Sequence, residues 1–149
     1  MKPALAAFAL VLASLAMPGA AQGRSAPGQN SAPPVRETVK PLSRQPLPNL
    51  PGKEIIAVEV DFPPGAASVP HRHPPSAFLY AYVLEGEIVS AVGKEKPRAY
   101  RTGESWYEEP GAFHRVTRNA SLKRPGRLLV IFITPAGEKE LVRPLPDKR

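Results

Sequence analysis

Three histidines are the only imidazoles in the chain, and two of them stand one residue apart in Pro70-His71-Arg72-His73-Pro74; the third is His114. On an extended strand, residues i and i+2 project from the same face. His71 and His73 can therefore converge on one metal ion if another strand brings His114 across to them. Imidazole suits zinc, copper, iron and nickel alike, and three protein ligands plus an open position is the usual build of a catalytic metal site. Isolated histidines in a domain are mostly surface or satisfied core residues, which is the plain alternative for each of them. Arg72, between the two, must point to the opposite face and is a poor clamp for a substrate anion.

Other polar groups near this stretch are less specific. Glu108 and Glu109 precede Pro110-Gly111, where either carboxylate could act as a general base or hold a ligand in place. A solvated turn is the simpler reading of both. Tyr80 and Tyr82 share one face of a strand by period two. With Trp106 and Tyr107 they read as core or interface residues before they read as substrate-stacking ones.

The elements that must position these groups are short and β-rich. Lys53 to Phe62 alternates around Ile56, Val58 and Val60 and ends at Pro63-Pro64-Gly65, a strand pattern with its stop. Phe78 to Val92 is a second β-rich run, broken by a turn or bulge at Glu85-Gly86-Glu87. Tyr100 to Thr102, Ser105 to Tyr107, Phe113 to Thr117 and Leu128 to Thr134 complete the set, with turns at Gly103-Glu104, Pro110-Gly111 and Pro125-Gly126. No long amphipathic helix appears, although Glu138 to Val142 could form one helical turn. Many short strands between Gly and Pro turns predict a β-sandwich or barrel.

The ends read differently. Met1-Lys2 followed by the apolar, alanine-rich stretch Pro3 to Met17 and by Pro18-Gly19-Ala20-Ala21 has the pattern of a secretory signal peptide. The apolar run is shorter than the about 20 residues that cross a bilayer, so residues 1–21 are expected to be removed, leaving a periplasmic or secreted product with no stable membrane anchor. Residues 22–37 read as a disordered Pro/Ser/Gly-rich tether, 38–142 as a single domain and 143–149 as a basic tail. The prolines of this region, Pro41 and Pro46 among them, argue against a continuous helix or a paired strand; Thr38 to Leu50 could still lie along the domain as an edge segment.

The chain of 149 residues carries a formal charge of +7 and no cysteine. An exported protein without disulfides must be stable from its core alone, which favours a closed β-structure. Its basic residues are scattered without interleaved aromatics, which argues for a solvated surface and against nucleic acid as a partner.

The residues then match a known pattern. Gly65 to His73, closing at Gly86, resembles the first motif of the cupin superfamily, in which a glycine leads to two histidines one residue apart, then a glutamate and a final glycine. Gly103 to Asn119, with Pro110-Gly111-Ala112-Phe113-His114 inside it, resembles the second. The resemblance implies an all-β fold, a cupin-type jelly-roll β-barrel with a proline-rich N-terminal extension. It also implies one divalent metal ion (Fe, Mn, Zn, Ni or Cu) held by His71, His73 and His114.

Two departures stand out. The first motif's glutamate is missing: its slot falls on Ala77 or Phe78 counted from His73, and on Leu79 counted back from Gly86, and none of these binds metal. The second motif is also irregular, one residue long before Pro110 and one short after it, with Arg118 in the slot of its asparagine. A site of three neutral imidazoles would leave the ion its full charge. Some cupin dioxygenases use three histidines alone, so the resemblance is compatible with an exported mononuclear non-haem dioxygenase-like oxidoreductase acting on a small chelating substrate. A non-redox isomerase or lyase acting on a sugar or small acid, and a non-catalytic small-ligand-binding cupin, remain open alternatives. Small cupins often pair through N-terminal strands, which points to Val39 to Val60 for a homodimer contact.

Overall fold

The structure, a computed structural model, describes residues 34–145. The expected signal peptide at 1–21, most of the expected tether and the end of the basic tail lie outside these residues. Among the described residues there is no helix, and ten strands form two antiparallel five-stranded sheets.

The first sheet has the order β1-β2-β9-β4-β7, built from Thr38–Pro46, Lys53–Phe62, Gly126–Pro135, Phe78–Glu85 and Ser105–Glu108. The second has the order β10-β3-β8-β5-β6, built from Arg143–Pro144, His71–Arg72, Phe113–Asn119, Glu87–Val92 and Arg98–Arg101. Together they make a jelly-roll β-barrel, the fold that the sequence motifs imply. Strands β2 and β9 alternate buried and part-exposed residues without a break, which is how a sheet keeps one face on a core and one towards solvent. Ile56, Val58, Val60, Phe62, Leu128, Val130 and Phe132 of this pair are all buried.

Three local differences from the sequence expectations have physical causes. Thr38–Pro46 is a paired strand despite its prolines, because it lies at the sheet edge and pairs with β2 alone, with a register shift between Pro41 and Ser43; an edge strand can turn a missing N–H outward. Glu138 to Val142 forms no helical turn, since the Glu138 side chain instead accepts hydrogen bonds from the Lys139 and Glu140 amides and from Ser76. Pairing also runs beyond Val142, Arg143 lying opposite Arg72 and Pro144 opposite His71.

Gly86 shows why the first motif closes on a glycine. Its φ is +76°, and a Cβ there would lie 2.6 Å from the Pro125 carbonyl oxygen, so both the backbone conformation and the neighbouring chain require a residue without one.

Candidate metal centre

His71 and His114 face each other across the β3–β8 ladder as direct partners. His73 follows just beyond β3, tied to β8's approach by its own N–H bonding to the Ala112 carbonyl at 3.1 Å. The ring centroids of His71 lie 4.9 Å from His73 and 5.3 Å from His114, and one nitrogen of each of the three lies within 4.8 Å of the others. The strands thus bring together all three histidines that the sequence marks as ligands. Arg72 points away as expected, its guanidinium over the Phe113 ring.

The inward aim of His114 depends on an irregularity. In the pairing of β5 with β8, Ala91 faces Val116 but the next residue, Val92, faces His114, so Arg115 is an extra residue in β8. Such a bulge shifts the strand's phase by one. His114, Thr117 and Asn119 are consequently all buried, although the first two are three residues apart. Arg115 leaves the ladder and donates to the carbonyls of Gly93 and Glu95. Thr117 Oγ1 then lies 2.7 Å and Ser90 Oγ 2.9 Å from His114 Nε2. Asn119, by contrast, has no part in the site: its amide donates to the carbonyls of Phe62 and Arg124 and pins the β8–β9 loop.

The other two rings are oriented by backbone carbonyls. Nδ1 of His71 donates to Val69 and Nδ1 of His73 to Leu141, each at 2.8 Å. A carbonyl can only accept, so both rings carry the proton on Nδ1 and present a bare Nε2 lone pair, the arrangement in which histidine binds metal. Desolvation by burial lowers the pKa of His71 and of His73 below 6.5, against the raising influence of these carbonyls and of Glu108. Burial thus favours the neutral, metal-binding form of both.

Glu108 departs most from expectation. It belongs to β7, buried at 1% exposure, where a solvated turn is the simpler sequence reading. Its Oε1 accepts from Trp106 Nε1 at 3.1 Å and lies 2.9 Å from His114 Nδ1. Its Oε2 lies 3.5 Å from His73 Nε2, and both of these atoms are buried without a hydrogen-bond partner among the described residues. Burial raises the Glu108 pKa, but the hydrogen bond and charge of His114, the charge of His73 and the Trp106 N–H outweigh it and hold the carboxyl below its ordinary range. The site is thus not the carboxylate-free one that the missing motif glutamate implies. Glu109, next in sequence, is exposed and takes no part. Period two carries the signal for Glu108: an inward Trp106 requires an inward residue at 108 once β7 runs one position further than its apolar residues suggest.

These groups line one side of a cavity of about 130 Å³ between the two sheets. Val58, Val60, Leu79, Val130 and Phe132 form much of the rest of its wall. Glu37, in the stretch expected to be a tether, also lines it, with Oε2 buried and without a hydrogen-bond partner among the described residues. Tyr80 and Tyr107 lie outside, exposed, with Tyr107 stacked on Phe78.

The donor set fits a divalent ion. Two donors at metal distances of about 2.0–2.2 Å stand roughly 3–3.6 Å apart at octahedral to tetrahedral angles, and the partnerless His73 Nε2 and Glu108 Oε2 are 3.5 Å apart. Two buried polar atoms left facing each other are costly, and an ion between them would satisfy both.

Comparison with known proteins agrees with the fold and the motifs. The cupin-domain family model matches residues 58–132, so the chain belongs to the cupin family. No curated protein matches it. Among solved structures, a protein from Thermus thermophilus is 25% identical with a TM-score of 0.52, the match covering 67% of this chain and 84% of that one. An oxalate oxidase in complex with the substrate analogue glycolate is 22% identical at a TM-score of 0.52, covering 70% of this chain and 57% of its own. A DMSP lyase from Ruegeria pomeroyi is 24% identical at a TM-score of 0.52, covering 64% of this chain and 45% of its own. The latter two likenesses are of fold.

Proposed function

We propose that the protein is an exported, mononuclear metal-dependent cupin that carries out dioxygenase-like oxidation of a small chelating substrate. The observation that carries this reading is the pair of Nε2 lone pairs on His71 and His73, fixed by Nδ1–H bonds to Val69 and Leu141, in a largely apolar cavity where one nitrogen of each of the three histidines lies within 4.8 Å of the others. A bound divalent ion would supply a Lewis-acidic centre, redox-active if iron or copper, with positions left for substrate. The protein's own groups do the rest. Leu79, Val130 and Phe132 give the cavity an apolar wall, and its volume of about 130 Å³ admits only a small molecule. Glu37 at the same cavity places a carboxylate oxygen where an entering substrate would pass. The oxalate oxidase and the DMSP lyase that share this fold act on small molecules, in keeping with such a substrate. Export is supported by the Met1-Lys2 and Pro3 to Met17 pattern alone.

The test is metal analysis of the purified protein followed by oxygen uptake after loading with Fe(II), across catechols, flavonols and diketones. Stoichiometric metal with oxygen-dependent turnover is expected. Turnover under strict anoxia would replace oxidation by isomerase or lyase chemistry, and absence of metal would overturn the reading altogether. For export, mass spectrometry of the mature protein is expected to find a chain that begins at Gln22.

A further inference from the structure

We propose that Glu37 selects the substrate: the cavity takes a small metal-chelating molecule that also carries a hydroxyl or ammonium group, and that group donates to Glu37 Oε2. This deepens the reading above and rests on it. Among the described residues, three buried side-chain polar atoms lack a hydrogen-bond partner, and all three belong to residues that line the cavity. His73 Nε2 and Glu108 Oε2 face each other at 3.5 Å beside the histidine cluster. The third, Glu37 Oε2, stands outside that cluster, which His71, His73 and His114 make up. A carboxylate oxygen accepts hydrogen bonds, and one buried without a donor is costly. Among the described residues no lysine or arginine lines the cavity, so the donor has to come from what enters it.

The backbone holds Glu37 in place for such a contact. Val39 lies opposite Val60 in the β1–β2 ladder, and both line the cavity. Glu37, two residues before Val39, takes the same face by period two. One step past the pair of Thr38 with Asp61, the register sets Glu37 opposite Phe62 of the cavity wall. Its neighbour Arg36 is exposed and donates instead to the Ala67 carbonyl at 3.2 Å, while the Ala67 amide donates to the Val35 carbonyl at 3.2 Å. These two bonds staple the segment to the loop whose Val69 carbonyl orients His71. The carboxylate and the imidazoles therefore keep a fixed relation, so a ligand that meets both is chosen for its length as well as for its donor. Hydrogen bonds to an ionised group are roughly twice as strong as neutral ones, and a site built to bond one group rejects an analogue that lacks it.

The test measures binding of 2-hydroxy acids to the Zn(II)-loaded protein by calorimetry, in matched sets of two lengths. Glycerate and 3-amino-2-hydroxypropanoate are compared with 2-hydroxybutanoate; 2,4-dihydroxybutanoate and 4-amino-2-hydroxybutanoate are compared with 2-hydroxypentanoate. At one length or both, a donor-bearing acid is expected to bind about tenfold or more tightly than its methyl counterpart. A gain confined to the amines would identify the donor as ammonium, and a gain shared by the alcohols as a hydroxyl. Glu37→Leu is expected to erase the preference, and Glu37→Gln to reduce it for the alcohols and erase it for the amines. Folding is checked by circular dichroism, and Glu37→Gln alone decides if Glu37→Leu does not fold. A preference unchanged in the variants, or none in wild type at either length, would overturn the proposal. So would loss of bound zinc in Glu37→Gln, which would make Glu37 part of the metal site. Wild type that holds zinc but binds none of the acids overturns the proposal and leaves the metal centre standing; wild type that holds no zinc removes both.

Discussion

The two inner faces of the barrel follow different rules. On the β1-β2-β9-β4-β7 sheet, β2 and β9 keep strict period-two alternation over ten residues each, and their buried side chains are almost all aliphatic or Phe. On the β10-β3-β8-β5-β6 sheet, β3 is two residues long, β8 contains the Arg115 bulge, and Ser90, His114 and Thr117 replace apolar side chains. Regular alternation produces a wall that excludes water. Broken alternation produces polar groups aimed at one point. Glu54, Thr134 and Glu108 are the buried polar side chains of the apolar sheet; of these Glu108 lines the cavity, and it comes from β7, the four-residue strand at that sheet's edge. Short or bulged strands carry the polar groups, and the long regular strands β2 and β9 carry the apolar wall.

This contrast can be broken most severely at the histidines. His71→Ala and His114→Ala are each expected to reduce bound metal to background in elemental analysis of the purified protein. Metal retained by His114→Ala at the wild-type level would show that the polar face has another purpose. On the apolar face, Phe62→Ala removes a side chain that is 1% exposed, and such truncations cost about 3–5 kcal/mol. Urea unfolding of the metal-free protein should read that loss, and a change below about 1 kcal/mol would mean that the wall does not carry the stability assigned to it.

Smaller effects sharpen the division. Thr117→Val keeps the shape but removes the hydroxyl 2.7 Å from His114 Nε2. Glu108 meets the other nitrogen, Nδ1, so Nε2 is the one left for an ion and the hydroxyl occupies it in the metal-free site. Removing that competing hydrogen bond, worth about 0.5–1.5 kcal/mol, should tighten Zn(II) binding by up to about tenfold with little change in fold. An unchanged affinity would mean that the bulge, not the hydroxyl, sets the His114 ring.

The smallest effect is that of pH on the metal-free protein. His71 and His73 have folded pKa values below the 6.5 of the unfolded chain. Above 6.5 both are neutral in both states and contribute no pH dependence. As pH falls below 6.5 the unfolded chain takes up protons that the folded site resists, so stability declines. Glu108, held below 4.5, contributes stability that is present above 4.5 and lost as pH falls through its folded value. Thermal melting from pH 8 downward should stay level until about 6.5 and then fall, and His73→Gln should flatten the first part of that decline.

How much of this was legible in the chain differs by residue. The strand Lys53–Phe62 appears at its expected bounds because an alternating apolar run reports its own face. The convergence of His71 and His73 was legible for the same reason. The paired state of Thr38–Pro46 was not, since a proline's cost depends on whether its N–H faces a neighbour or solvent, and only the sheet order decides that. The placement of Glu37 at the cavity depends likewise on where β1 lies.

The sequence by itself determined the barrel, the three histidines and the absence of a carboxylate from the first motif, because these are matters of residue type and spacing within a strand. Tertiary structure alone decided that Arg115 is an extra residue in β8, that Leu79 lies opposite Glu108, and that Glu108 is buried beside His73 and His114. Spacing along a strand fixes which face a side chain takes. Which residues meet across the gap is fixed by register, and register is set only when the sheets close over their core.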